Sequence, residues 1–122
     1  MRSLALGLVA LVALLHLYFL VLEMFLWRTR ARRLFRMSAE KAEATAQLAA
    51  NQGLYNGFLA AGLVWALASG PELVPRATFF LLCVLAAGVY GSVTVQRSIL
   101  WVQAAPAGLA LAALWMSSSS MR

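Results

Sequence analysis

The sequence predicts an all-α membrane protein, a single domain (residues 1–122) built as a four-transmembrane-helix bundle, and three observations carry that reading. Of its 122 residues 63% are hydrophobic and 11% charged, against roughly 45–50% and about 25% in soluble domains. Four long apolar stretches are separated by short polar or basic breaks. Six of the ten cations lie between Arg28 and Lys41, directly behind the first apolar stretch, where a positive-inside loop belongs. The net charge of +6 is therefore read as contact with anionic lipid, not nucleic acid. One histidine and one cysteine in the whole chain exclude a disulfide framework and a Cys/His metal cluster.

The first span covers about residues 3–27, and its uncharged part up to Leu22 is long enough to cross a hydrocarbon core of about 30 Å. A secretory signal peptide is the competing reading. The apolar run exceeds an h-region of about 7–15 residues, and arginines follow it where a small-residue cleavage site would stand. His16, Glu23 and Trp27 share a face. The basic loop then supplies Arg28, Arg30, Arg32, Arg33 and Arg36 for anionic-lipid contact.

Ser38 is a candidate N-cap for the second helix, whose span covers about residues 46–69. At 100° per residue, Gln47, Asn51, Gln52, Tyr55 and Asn56 are expected on one half of this helix, with Ala49, Gly53, Gly57 and Ala61 on the other. The first half can hydrogen-bond into a bundle, and the second allows a close helix approach. The Gly-Pro turn Ser69 to Pro75 is tight. The third span, about 76–95, is apolar through Phe79-Phe80-Leu81-Leu82-Cys83. It then becomes small and polar at Gly88, Tyr90, Gly91, Ser92 and Thr94, with Gly88 and Gly91 as further packing positions. The fourth, about 99–116, holds Gln103 and Pro106, and the proline should bend it or free a carbonyl. The tail from Ser117 to Arg122 is expected to fray. Seven cations on the loop side face Arg2, Arg76 and Arg122 on the other, an asymmetry that predicts both termini outside and the basic loop in the cytoplasm.

Measured from the cytoplasmic edge, Glu23, Asn51, Asn56, Tyr90, Thr94 and Gln103 all lie within roughly 12 Å at helical rise. The sequence thus suggests a polar pocket in one leaflet, with Gln52, Tyr55 and His16 as further candidates. Glu23 is the most informative residue, since a carboxylate at that depth costs about 2.5–3.5 kcal/mol unless paired, protonated or wetted. The plainer alternative is that Glu23 accepts from Asn51 or Asn56, or pairs with an arginine, and only holds the bundle. His16 suits a structural hydrogen bond better than metal ligation, and Cys83 suits core filling better than nucleophilic chemistry.

Four blocks carry a resemblance: His16-Leu17-Tyr18 with Leu22 to Trp27; Ala50 to Gly62, above all Asn51-Gln52-Gly53-Leu54-Tyr55-Asn56-Gly57-Phe58-Leu59; Phe79 through Cys83 to Gly91; and Val102-Gln103 with Pro106-Ala107. In this order they resemble the small bacterial membrane proteins grouped as domain of unknown function 1304. That resemblance implies four helices and the bacterial cytoplasmic (inner) membrane, and it implies no reaction or cofactor. More loosely, length and topology are similar to the membrane-associated eicosanoid and glutathione metabolism proteins, although Tyr55-Asn56 stands where they have Glu-Asn and the second helix lacks arginine. A lone acid in the first helix is also similar to the small multidrug resistance transporters, which hold theirs nearer mid-membrane. Three functions fit: binding or conversion of a small amphipathic, lipid-like molecule; proton-coupled transport on Glu23; and a structural subunit. A homo-oligomer is compatible with all three.

Overall fold

The computed structural model describes residues 1–119, and Arg122, counted above among the outer cations, lies outside them. The described residues form five α-helices where four were expected: α1 (Arg2–Met24), α2 (Arg32–Leu34), α3 (Ala39–Leu67), α4 (Leu73–Thr94) and α5 (Ala105–Ser119). The added one, α2, is three residues long and belongs to the basic loop. Among the described residues three helical stretches are long and apolar enough to cross a membrane: Arg2–Met24, Gly70–Thr94 and Leu100–Ser119. Although α3 has 29 residues, it is not among them. Its first turns carry Glu40, Lys41 and Glu43, and four amides follow before Phe58.

The packing is that of a membrane protein. Its core is made of small side chains, with Ala5, Val9, Val12, Leu63, Ala66, Ala77, Leu81, Val84, Ala107 and Ala110 almost sealed. Leu14, Leu48, Phe58, Val64, Phe79, Val93 and Leu109 point outward. Only 28%, 22% and 39% of the three apolar windows are buried, so most of their apolar surface is left for lipid tails. Without a hydrophobic drive between helices in lipid, small residues that let backbones approach supply the contact.

The α1–α3 pair shares the longest interface, and α3 then packs on α4, α4 on α5, and α5 back on α1. Buried residues of α3 recur at alternating steps of four and three, as Ala42, Ala46, Ala49, Gly53, Asn56, Ala60 and Leu63. Ala5, Val9, Val12 and His16 repeat the rhythm on α1. This average of about 3.5 is the period of a left-handed helix seam. Glycine makes the seam close: a Cβ on Gly53 would lie 2.8 Å from Met24 Cγ and 3.2 Å from the Leu20 carbonyl, and one on Gly57 would lie 2.5 Å from Leu20 Cδ1. The Gly53/Gly57 face is thus packed against α1 inside the chain. Ala61, placed on that face from sequence, is exposed, because it lies about 120° from Ala49 at helical spacing.

Gly88 and Gly91 bring the end of α4 against the next connection. A Cβ on Gly88 would sit 2.7 Å from the backbone nitrogen of Ala104, and one on Gly91 3.3 Å from Ile99 Cγ2. Residues Leu100–Ala104 form a wide π-helical turn that runs directly into α5, and Pro106, which has no N–H to donate, follows as the second residue of that helix. Ser38 caps α3 by accepting from the Lys41 N–H at 3.1 Å. In the basic loop, Arg36 takes a left-handed conformation (φ 52°). Met37 N–H bonds Arg32 O and Arg36 N–H bonds Arg33 O, the pair that ends a helix in a Schellman motif. Trp27 Nε1–H donates to Thr45 at 3.0 Å, and Arg28 forks onto Glu43 through Nε (2.6 Å) and Nη2 (3.0 Å), so the loop is stapled to α3.

Two outcomes test this packing. Gly88→Ala meets backbone that cannot rotate away and should destabilise the protein by about 1–3 kcal/mol, read as thermal unfolding in detergent. Gly7→Ala, with nothing within 4 Å of its added Cβ, should be neutral or stabilising by up to about 1 kcal/mol. The Arg28 guanidinium holds the Glu43 carboxyl below its ordinary range by hydrogen bond and charge, and Glu43 in turn raises Arg28. A depressed carboxyl stabilises the fold above its unfolded pKa and loses that effect as pH falls through its folded pKa. Glu43→Gln should therefore be slightly less stable than the parent at pH 7 and low salt. That gap should close on acidification below the ordinary carboxylate range.

Candidate functional site

The end of α1 and the first half of α3 set the chemistry. Antiparallel packing brings Glu23 level with Gly53 and Asn56. Asn56, only 6% exposed, donates Nδ2–H to Glu23 Oε1 at 2.7 Å. The partner of the acid is therefore Asn56, and among the described residues no arginine pairs with it. One correction concerns the helix face. Asn56 lies with the small residues, because seven positions from Ala49 return to within about 20° of the same direction. Asn51, Gln52 and Tyr55 occupy the outward side and are exposed, Tyr55 at 57%.

Beside Glu23, between the two helices, is a cavity of about 470 Å³ that opens toward the basic loop. Glu23, Met24 and Phe25 form one wall, Trp27, Arg28 and Thr29 the rim, and Ala46, Gln47 and Ala50 of α3 the other wall. The space has a local cause. After Met24 the chain leaves the α-helical path and makes a π-helical turn at Trp27–Ala31, while α3 opposes it with Ala46 and Ala50, which are too small to fill the gap. The Arg28 guanidinium is directed to Glu43. Arg30 lies over the Tyr18 ring at 5.9 Å, and Arg32 Nε–H donates to the Met37 carbonyl at 3.3 Å.

The other candidates do not converge on this cavity. Tyr90 is 72% exposed, and with Thr94 it edges an apolar groove of about 550 Å³ along α4, lined also by Leu82, Leu85, Ala86, Val89 and Val93. Thr94 donates back to the Tyr90 carbonyl at 2.8 Å. Gln103 is half-buried in the turn before α5. His16 is fully buried, with Nδ1 2.8 Å from the Val12 carbonyl, the ring against Phe19, and Nε2 without a described partner. Cys83 is a half-buried free thiol. Among the described residues no group of three His, Cys, Asp or Glu side chains could hold a metal ion.

Phe25, Thr29, Ala46 and Ala50 line the cavity without a role expected from the sequence, and Gln47, expected only on the hydrogen-bonding half of the second helix, lines it too. The signal that could have found them is the pair of alanines one turn apart on α3, facing the point where the α1 pattern gives way to arginines. Small residues opposite a broken helix leave space. The cavity can place a carboxyl oxygen, an amide and two aromatic side chains around a small polar group.

Comparison with known proteins matches residues 10–115 to a family described as "Protein of unknown function (DUF1304)". The chain is also similar to the uncharacterized protein YpaA of Lactococcus lactis subsp. lactis (strain IL1403). The two are 33% identical over 107 residues, covering 85% of this chain and 87% of that one. No solved structure matches. With a match over most of its length and a relative aligned almost from end to end, the chain belongs to the DUF1304 family.

Proposed function

We propose that the protein is a four-span protein of the bacterial cytoplasmic membrane that binds a small amphipathic, lipid-like molecule at the inner-leaflet edge. Its polar head would enter the cavity beside Glu23, and its tail would lie along the outer faces of α1 and α3. The observation that supports this reading is the cavity itself, where a half-buried carboxyl group, a glutamine and two aromatic residues line a mostly polar concavity at a helix end, beside outward apolar residues such as Leu17, Val21 and Phe58. Pockets that take small molecules are concave and supplied with a few placed polar groups.

Four spans are supported by the antiparallel seam. Leu63 and Ala66 of α3 share one core with Ala5 and Val9 of α1, so a bilayer around α1 encloses the C-terminal half of α3 as well. The amides of α3 that look outward then lie near the headgroups, where water and lipid glycerol can satisfy them. Arg33 and Arg36, with the other loop arginines, support a cytoplasmic loop on anionic lipid. Proton-coupled transport has less support, since an outward route from Glu23 would pass His16, which is sealed and tied to Val12.

Filling the cavity tests the binding reading. Purified in mild detergent, the parent should retain bound lipid or added amphiphile in native mass spectrometry, and Ala50→Trp should lose it at unchanged thermal stability. Equal retention by both would overturn the assignment to this cavity. For topology, single cysteines at positions 33 and 70 in a Cys83→Ser background should differ. A membrane-impermeant maleimide should label position 70 in intact cells, and position 33 only after permeabilisation. The reverse pattern would invert the orientation.

A further inference from the structure

We infer that the head group this cavity takes is a cation, a primary or quaternary ammonium on an apolar tail, with Glu23 Oε2 as its counter-ion. The inference rests on the amphiphile-binding reading above and adds the chemical class of the ligand. Glu23 lines the cavity, and its Oε1 is taken by Asn56. Oε2 accepts from no described group, and it is not among the sealed, unpartnered polar atoms, of which His16 Nε2 is the only one described. One oxygen of the acid is thus tethered, and the other is open to whatever enters.

The nearby cations are directed elsewhere. Arg28, on the rim, is neutralised by a bidentate pair with Glu43. Arg30 covers Tyr18 and Arg32 is bonded to Met37. The only ion pair among the described residues is Arg28 with Glu43, so Glu23 is a carboxylate without a protein counter-ion. Of the side chains that line the cavity, Glu23 is the one acid and Arg28 the one cation, and Arg28 is held by Glu43, which lies outside the lining. Phe25 and Trp27 stand in its lining, and Trp27 keeps its indole in place by donating Nε1–H to Thr45. A carboxylate beside aromatic faces is the chemistry that holds ammonium heads, through charge and cation–π attraction. An anionic head would meet the carboxylate instead, with the nearest guanidinium already occupied.

Three amphiphiles with one dodecyl chain separate the possibilities: dodecyltrimethylammonium, dodecyl phosphate and the neutral dodecyl maltoside. They are titrated onto the full-length protein in nanodiscs, with native mass spectrometry counting bound molecules. The ammonium amphiphile should bind the parent about tenfold or more tightly than the other two, a preference worth about 1.4 kcal/mol. Glu23→Gln keeps an acceptor for Asn56, so it should fold while losing that preference. Trp27→Leu should weaken the ammonium amphiphile selectively. Equal binding of all three heads, preference for phosphate, or a preference unchanged in Glu23→Gln would each overturn the cation assignment and leave amphiphile binding standing. No binding of any of the three, or equal binding in Ala50→Trp, would overturn the underlying reading.

Discussion

The contact between Glu23 and Asn56 exists because two helices approach closely enough for glycine to be required where they touch. Gly53 faces Met24 and the Leu20 carbonyl, Gly57 faces Leu20, and Asn56, just before Gly57 and nearly a turn after Gly53, sets its amide against the acid. A larger residue at Gly53 would press on Glu23 Cβ and the Leu20 carbonyl and move the helices apart, whereas at Gly57 the terminal methyl of Leu20 would have to swing aside. In lipid the amide donor matters. An ionisable side chain inside a span persists only with a partner, a proton or water, and a charge-assisted hydrogen bond is worth about 1.5–3 kcal/mol. The seam therefore serves packing and chemistry together.

The same seam defines the cavity beside it. While α1 remains helical its small and branched side chains mesh with those of α3; where α1 gives way at Phe25 the mesh stops, and Ala46 and Ala50 have nothing to fill the space. Trp27 to Thr45 and Arg28 to Glu43 hold the departing chain near α3. The gap stays narrow, and the rim is polar on one side only. A site assembled from a helix end, a short π-helical turn and two alanines needs no loop insertion and no second domain, which suits a chain this small.

The expected inner-leaflet pocket and the observed arrangement differ for a geometric reason. Counting residues from a membrane edge gives height along a helix, and at that level Glu23, Asn56, Tyr90, Thr94 and Gln103 are comparable. It says nothing of direction. With 100° between neighbours, Asn51 and Asn56 lie about 140° apart, so both cannot face Glu23. Tyr90 and Thr94 look out over the surface of α4, away from the α1–α3 seam. Gln47, expected on the hydrogen-bonding half of the helix but not in the pocket, lines the cavity because it is one turn before Asn51 and directly after Ala46.

Composition and order along the chain were enough to read an all-helical membrane protein, the cap at Ser38, the break at Gly70, and a contact between the acid and an amide of the second helix. These follow from local physics: apolar run length, backbone freedom at glycine and proline, and the cost of charge in hydrocarbon. Which amide meets the acid, which glycines are covered by α1, and where space remains depended on the rotation of α3 against α1. That rotation is chosen by the fit of small side chains along the whole interface, a property of two segments at once. It is visible only when both helices are in place.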